Sequence, residues 1–175
     1  MKDCLIKLFK LTENIDIKKN SWGYLISNGK GNSVELKANN KFLLFMHKDY
    51  LYLKNISLSF KEIKSVLAYI NNFNKGLNQN YFYQMSIDGV GYRFLSVNNQ
   101  KLSMKVGFSK DVEYQLPEGV SGFLLSSNDL FLYSYDYDLL KLTCSKIKKI
   151  RKPDVYKGKG LRYIDDVIRL KEIKK

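Results

Sequence analysis

The chain has 175 residues, of which 45% are hydrophobic and only two are Pro, so it is a folded chain of one ordinary domain or two small ones and not a disordered one. It contains no run of about 18 apolar residues, which argues against a membrane-spanning helix. Thirty Lys and Arg against 17 Asp and Glu give a net charge of +13, and in a small domain such an excess points first to nucleic acid as the partner.

Few residues are available for catalytic or metal chemistry. Cys4 and Cys144 are far apart and form no CxxC pair, so a thiolate zinc site is excluded and both are expected to be free thiols. His47 is the only histidine and would have to serve any Ser-His or Cys-His nucleophile. We assign it instead to a hairpin, with no chemical role, and expect no metal or other cofactor.

The first half of the chain is predicted to form strands followed by a helix. A turn-rich loop separates strands over 24–27 and 34–37, and a hairpin follows over 42–53. Apolar residues at three- and four-residue spacing then predict a helix over 60–75. Ser57 or Ser59 can cap its start, and Gly76 is expected to end it.

The second half repeats this order about eighty residues later. Strands over 85–97 and 101–108 flank a turn, and a second turn over 116–120 leads to a hairpin over 123–133. A helix is predicted over 136–151, where Asp136 and Asp138 are expected to cap the start and not to bind a cation.

The repeated hairpin and helix predict an α+β fold of two tandem small domains. Each is expected to be a mainly antiparallel β-sheet packed against one α-helix. We place the first domain at 1–79 and the second at 80–175, with the boundary near 78–81, and expect the two halves to superpose.

The strongest local feature is the segment PDVYKGKGLRY at 153–163. Residues 146–175 contain 12 Lys and Arg against 4 Asp and Glu, so the positive charge is concentrated there. Gly allows a backbone to approach a ligand closely, Lys neutralises phosphate, and Tyr can stack on a base. These features predict RNA binding; the alternative is a solvated basic loop with two turn glycines.

Other motifs are weaker. KGKG at 157–160 lacks the spacing of a phosphate-binding loop, and Gly89 and Gly91 form only half of a dinucleotide motif because Phe94 stands in the third glycine's place. We expect that pair to make a bulge or tight backbone contact within a strand. Asp165 and Asp166 are expected in a turn and not in a metal site.

Two blocks of the sequence resemble the universal large-subunit ribosomal protein six family. One is 153–163 with the following VIRLKE at 167–172, and the other is GVGYR at 89–93 with 102–109. The family has two tandem sheet-plus-helix units. The resemblance implies a structural, non-enzymatic constituent of the large ribosomal subunit, near the stalk base and the sarcin–ricin loop. Its partners would be large-subunit rRNA and neighbouring ribosomal proteins, with no membrane and no small-molecule substrate.

The resemblance and the charge density together define the candidate RNA-binding residues. They are Lys148, Arg151, Lys152, Tyr156, Lys157, Gly158, Lys159, Gly160, Arg162, Tyr163 and Lys171. An RNA-modifying enzyme with a basic groove, or a free-standing basic RNA-binding protein such as a chaperone, is the alternative function.

The composition also bears on origin. Only four of the basic residues are Arg and Ala occurs twice, whereas Asn, Lys, Ile, Phe and Tyr are abundant, which indicates an AT-rich genome. Residues 1–20 do not match the basic start of bacterial family members, and residues 1–11 do not resemble a cleaved targeting signal. We therefore expect an organelle-encoded, mitochondrial protein, with a plastid or the bacterial cytoplasm as alternatives.

Overall fold

The computed structural model describes residues 5–10, 15–28, 33–37, 41–48, 50–98 and 100–172. This part of the chain forms antiparallel sheets and two helices, which confirms the α+β class. It divides into two compact units, Met1–Gln79 and Asn80–Lys175. Neither helix in the described residues is long and apolar enough to cross a membrane.

The first unit contains two three-stranded antiparallel sheets. Its elements are β1 (Leu5–Lys10), β2 (Ile15–Asn20), β3 (Gly23–Asn28), β4 (Ser33–Lys37), β5 (Phe42–His47), β6 (Tyr50–Asn55) and the helix α1 (Phe60–Asn78). The strand orders are β1-β6-β5 and β2-β3-β4. His47 ends the first strand of the predicted hairpin, where its ring meets Tyr52 edge-on at 6.4 Å.

A capping box starts α1 at Ser59, one of the two predicted caps. The Ser59 hydroxyl accepts a hydrogen bond from the Glu62 N–H, and the Glu62 carboxylate accepts one from the Ser59 N–H. The predicted end at Gly76 is wrong, because the helix continues to Asn78. Leu77 is buried with Ile70 and Phe73 on the same apolar face, and this burial outweighs the cost of about 1 kcal/mol for a glycine inside a helix.

The second unit also has two antiparallel sheets. Its elements are β7 (Tyr81–Asp88), β8 (Arg93–Asn98), β9 (Lys101–Lys105), β10 (Val112–Gln115), β11 (Val120–Leu124), β12 (Asp129–Ser134), α2 (Tyr137–Ile150) and β13 (Gly160–Tyr163). The strand orders are β10-β9-β8 and β11-β12-β7-β13. The helix α2 lies on β7, β12 and β13. As predicted, Asp136 caps α2, and its carboxylate accepts hydrogen bonds from the Asp138 and Leu139 N–H groups.

The core of this unit joins α2 and the four-stranded sheet with the three-stranded sheet, which contributes Phe94, Leu102 and Met104. Leu140, Cys144 and Ile147 of α2 are fully buried, together with Leu130 and Leu132 of β12. Cys144 is a free thiol, and burial raises its pKa to about 12. Cys4 lies outside the described residues.

The two units follow the same order of elements. In each, the first strand pairs with the last strand before the helix, a three-stranded meander forms a separate sheet, and a hairpin leads into the helix. Thus β1, β5, β6 and α1 correspond to β7, β11, β12 and α2. Only β13 has no counterpart among the described strands, and it adds a fourth strand beside β7.

The single strand predicted over 85–97 is wrong. The chain turns at 89–92, where the Tyr92 N–H donates to the Gly89 carbonyl over 3.1 Å, and β7 and β8 then belong to different sheets. Gly89 and Gly91 have φ values of +143° and +76°, a backbone conformation that favours glycine and ends the strand.

Candidate nucleic-acid interface

The segment that follows α2 folds into a closed loop around Asp154. The Asp154 N–H donates to the Lys159 carbonyl over 2.9 Å, and the Gly158 N–H donates to the Asp154 carbonyl over 2.8 Å. The Asp154 carboxylate accepts a third hydrogen bond, from the Tyr156 N–H. These bonds hold the backbone of residues 154–159 in one conformation, from which the side chains of these residues project.

Neighbouring backbone fixes this loop from two sides. The Leu161 N–H donates to the Arg151 carbonyl, which ties the start of β13 to the end of α2, and the Lys171 N–H donates to the Val155 carbonyl. β13 itself pairs with β7, with Gly160 opposite Asp88. The loop is therefore part of the folded unit.

An open pocket of about 650 Å³ lies beside the loop. It is lined by Tyr92, Ile150, Arg151, Lys152, Asp154, Lys157 and Lys159. Four cations face one carboxylate there, so the pocket attracts anions. The guanidinium of Arg151 also lies over the Phe108 ring, 5.4 Å from its centre.

Three pocket residues were not among the predicted RNA-binding residues: Ile150 and Asp154, which lie near or within the predicted segment, and the distant Tyr92. Tyr92 comes from elsewhere in the chain. It belongs to the turn between β7 and β8, some sixty residues before the loop, and the GVGYR block at 89–93 was the signal that could have identified it. Its ring packs along Gly89 and Gly107. A Cβ added at Gly89 would lie 3.0 Å from the Tyr92 Cγ, and a Cβ added at Gly107 would lie 2.5 Å from the Tyr92 hydroxyl oxygen.

Gly160 serves the fold of the loop itself. Its φ is +147°, and a Cβ would lie 2.7 Å from the Lys152 carbonyl oxygen and from the Pro153 Cα. The close contact that Gly160 permits is therefore made with the backbone of residues 152 and 153 of the same chain. By contrast, a Cβ at Gly158 would meet only the Leu170 side chain, at 3.5 Å.

Two of the predicted RNA-binding cations are engaged within the unit. Arg162 Nε donates to Asp88 Oδ2 over 2.6 Å, and Lys148 Nζ donates to Asp166 Oδ2 over 2.5 Å. The side chains of the Lys148–Asp166 pair are 29% and 35% exposed, and those of the Arg162–Asp88 pair are 30% and 45% exposed. Burial raises the pKa of Asp166, but the hydrogen bonds from Lys148 and the Tyr163 N–H lower it more, so the pKa lies below its usual value.

The two tyrosines of the segment differ in environment. Tyr163 packs against Tyr83, with ring centres 5.6 Å apart, and lies under the Lys148 ammonium; burial raises its pKa. Tyr156 is 51% exposed at the loop and is available to stack on a base.

The structure brings Arg151, Lys152, Lys157 and Lys159 together at the pocket, and the remaining candidates lie around them. Tyr156, Gly158 and Lys171 lie on or against the loop, whereas Lys148, Arg162 and Tyr163 make internal contacts. Asp165 lies in a turn, as predicted. Within residues 5–172, apart from the gaps named above, no three His, Cys, Asp or Glu side chains are grouped closely enough to hold a metal ion.

Comparison with known proteins gives several relatives but no matching family model. The chain is 31% identical over 173 residues to the large ribosomal subunit protein uL6 of Teredinibacter turnerae, covering 95% of this chain and 94% of that protein. It is 27% identical over 172 residues to uL6 of Aliivibrio salmonicida, covering 94% of each. A shorter match to uL6 of Pseudomonas fluorescens is 38% identical over 108 residues, covering 62% of this chain and 60% of that protein.

Proposed function

Since the chain belongs to the uL6 family of large ribosomal subunit proteins, we propose that it is a structural constituent of that subunit and binds large-subunit rRNA through the basic surface of its second unit. The observation that carries the RNA contact is the pocket in which Arg151, Lys152, Lys157 and Lys159 converge beside an exposed Tyr156. Phosphate contacts by such cations supply affinity, and an exposed ring supplies stacking.

The location within the subunit is a further part of the proposal. We propose that the contact lies at the base of the stalk, near the sarcin–ricin loop and beside neighbouring ribosomal proteins, and the family resemblance of 153–163 supports this location. Recovery of the protein in large subunits that survive washing at high salt would support its assignment to that subunit. Its loss from those particles would favour a free-standing RNA-binding protein.

Substitution of the pocket cations tests the RNA contact. The triple change Lys152→Ala, Lys157→Ala and Lys159→Ala should lower the slope of log affinity against log salt by about two to three, since each lost phosphate contact removes roughly 0.7–0.9. None of the three makes a side-chain ion pair in the described residues, so the fold should be kept. The measurement is binding of an rRNA fragment at several salt concentrations, with thermal melts as a folding check.

The matched control is a triple change at Lys61, Lys64 and Lys75 of α1. These lysines carry the same total charge and are exposed, but they lie in the first unit, outside the family blocks. We expect a small change of slope for this variant. Equal losses from the two triples would mean that a diffuse positive surface binds the RNA, which contradicts the proposal.

An RNA-modifying enzyme has less support. The single carboxylate of the pocket, Asp154, accepts the Tyr156 N–H and so shapes the loop. The relatives are large-subunit ribosomal proteins, which implies a structural role.

The compartment is a separate question. The relatives above are bacterial and do not support the predicted mitochondrial origin, whereas a ribosome in the bacterial cytoplasm agrees with them. The AT-rich residue composition and the divergent residues 1–20 are the two observations that favour an organelle. Finding the coding sequence on an organelle genome would support the mitochondrial proposal, and finding it on a bacterial chromosome would overturn it.

A further inference from the structure

The four-stranded sheet of the second unit has one face that α2 does not cover. Side chains along a strand alternate between the two faces. Leu130 and Leu132 are fully buried on the α2 side, so Phe131 between them points the other way. Phe131 pairs with Phe123 across β11 and β12, and Tyr133 pairs with Phe82 across β12 and β7. We call Phe82, Phe123, Phe131 and Tyr133 the aromatic face.

The rings of this face form one continuous cluster across three strands. Phe131 stacks on Phe82 with ring centres 5.3 Å apart and lies 5.1 Å from Phe123, which is in turn 6.4 Å from Tyr133. Phe82 is 61% exposed and Phe123 is 46% exposed. A contiguous exposed apolar patch of this kind marks an interaction site more often than scattered exposed residues do.

Stability of the hairpin alone does not account for the whole cluster. The first unit carries an equivalent cross-strand pair, Phe45 and Tyr52, whose rings stack 5.6 Å apart. Such a pair supports a sheet by roughly 0.2–1 kcal/mol without any partner. In the second unit, Tyr133 stands at the position of Lys54, and Phe82 carries the cluster onto a third strand. These additions place more apolar surface in contact with water.

The charges on this face argue against RNA as its occupant. By strand alternation the face carries three charged groups, Asp88, Asp129 and Arg162. Arg162 is paired with Asp88, and Asp129 accepts a hydrogen bond from the Ser126 hydroxyl and has no cation partner in residues 80–98 or 100–172. The face therefore has a net charge of −1, whereas the pocket near Lys157 and Lys159 has four cations against one carboxylate, a net charge of +3.

We propose that the aromatic face docks a neighbouring protein of the large subunit. The partner segment would present apolar side chains to the rings and a Lys or Arg to Asp129. The second unit would then bind RNA with its basic pocket and protein with its aromatic face. This inference rests on the proposed ribosomal function, because that function supplies the neighbour.

Site-specific photo-crosslinking in purified large subunits tests the inference. A photoreactive phenylalanine analogue in place of Phe123 should form a product with another protein. The matched control carries the analogue at Leu142, which is 52% exposed on α2, on the other side of the sheet, and should not form that product. A product with rRNA, a product with the first unit of the same chain, or no product would overturn the proposal.

A second variant separates docking from sheet stability. Phe82→Thr with Phe123→Thr keeps residues that favour strands but removes two rings. With the analogue at the exposed Ser121 of the same face, the protein product should fall at least about tenfold, a loss equivalent to about 1.4 kcal/mol. Binding of an rRNA fragment by the free protein should stay within about twofold. A lower melting temperature with an unchanged yield of product would assign the rings to sheet stability and refute docking.

The two proposals fail in different ways. If the protein is missing from salt-washed subunits, the proposed ribosomal function fails. If the protein is present and binds RNA through Lys152, Lys157 and Lys159, but Phe123 gives no protein product, only the docking inference fails.

Discussion

At the scale of single residues, the family signature combines groups that face outward with groups that hold the loop together. Lys157 and Lys159 line the open pocket, whereas Gly160 and Arg162 in the same short segment contact the chain itself. The secondary structure explains the division, because Lys157 and Lys159 lie in the loop, whereas Gly160 and Arg162 belong to β13, which pairs with β7. Substitutions at neighbouring positions should therefore have different effects.

Gly160→Ala should destabilise the second unit. The new Cβ would lie 2.7 Å from backbone atoms of residues 152 and 153, at a φ of +147°. A strained backbone of this kind costs about 1–3 kcal/mol, and the collision adds to it. Denaturant unfolding followed by circular dichroism measures the loss.

Gly158→Ala is the control for this prediction. It also has a positive φ, of +70°, but its Cβ would make only an ordinary contact with Leu170. We expect a loss of about 1 kcal/mol. If the two variants lose equal stability, the collision at Gly160 is relieved by a backbone shift, and the close packing inferred here is wrong.

At the scale of elements, β13 is the strand that distinguishes the second unit from the first. Four backbone pairings join it to β7, and two ion pairs flank it: Arg162 with Asp88, and Lys148 of α2 with Asp166. Asp166 also accepts the Tyr163 N–H. One carboxylate thus links the end of β13 to α2.

Acid should weaken this link. Because the pKa of Asp166 is lower in the folded chain than its usual value of about 4, its contribution to stability is complete above that pH and is lost as the pH falls through the folded pKa. Asp166→Asn should cost about 1 kcal/mol or less near pH 7, and the difference from the original chain should shrink below about pH 4. Denaturant unfolding between pH 3 and pH 7 provides the measurement.

Asp165→Asn is the control for the acid effect. Asp165 is adjacent and exposed in the same turn, but no hydrogen bond to its side chain occurs within residues 100–172. This variant should follow the original chain at every pH. A difference for Asp166→Asn that stays constant down to pH 3 would show that the carboxylate does not act through its charge.

At the scale of the whole molecule, the net charge of +13 sets the response to salt. The free protein repels itself, and salt shortens the range of this repulsion from roughly 30 Å at 0.01 M to about 8 Å at 0.15 M. The melting temperature of the free protein should therefore rise over this range, by about 2–4 °C if the gain is about 1 kcal/mol.

Lys61→Glu with Lys64→Glu should reduce this rise, because both changes lower the net charge on an exposed helix surface near the start of α1, where acidic residues are favoured. Scanning calorimetry at several salt concentrations compares the two proteins. A melting temperature that falls as salt is added would mean that the surface ion pairs outweigh the general repulsion.

The sequence by itself determined the features that depend on local chemistry. Strand alternation and turn residues located both hairpins, and helical spacing located both helices. Asp136 identified the start of α2, and the start of α1 was narrowed to Ser57 or Ser59, of which Ser59 is the cap. The basic segment also contained four pocket residues, Arg151, Lys152, Lys157 and Lys159. Each of these signals is carried by residues a few positions apart.

Tertiary structure decided what depends on distant partners. Because Leu77 is buried, α1 continues past Gly76. The segment predicted as one strand over 85–97 is divided between two strands that belong to different sheets. The pairing of β13 with β7 brought Arg162 to Asp88, 74 residues away, and the turn after β7 brought Tyr92 to the pocket. A local pattern shows that a side chain is charged or aromatic, but only the register between strands fixes whether it meets an ion-pair partner, the core or solvent.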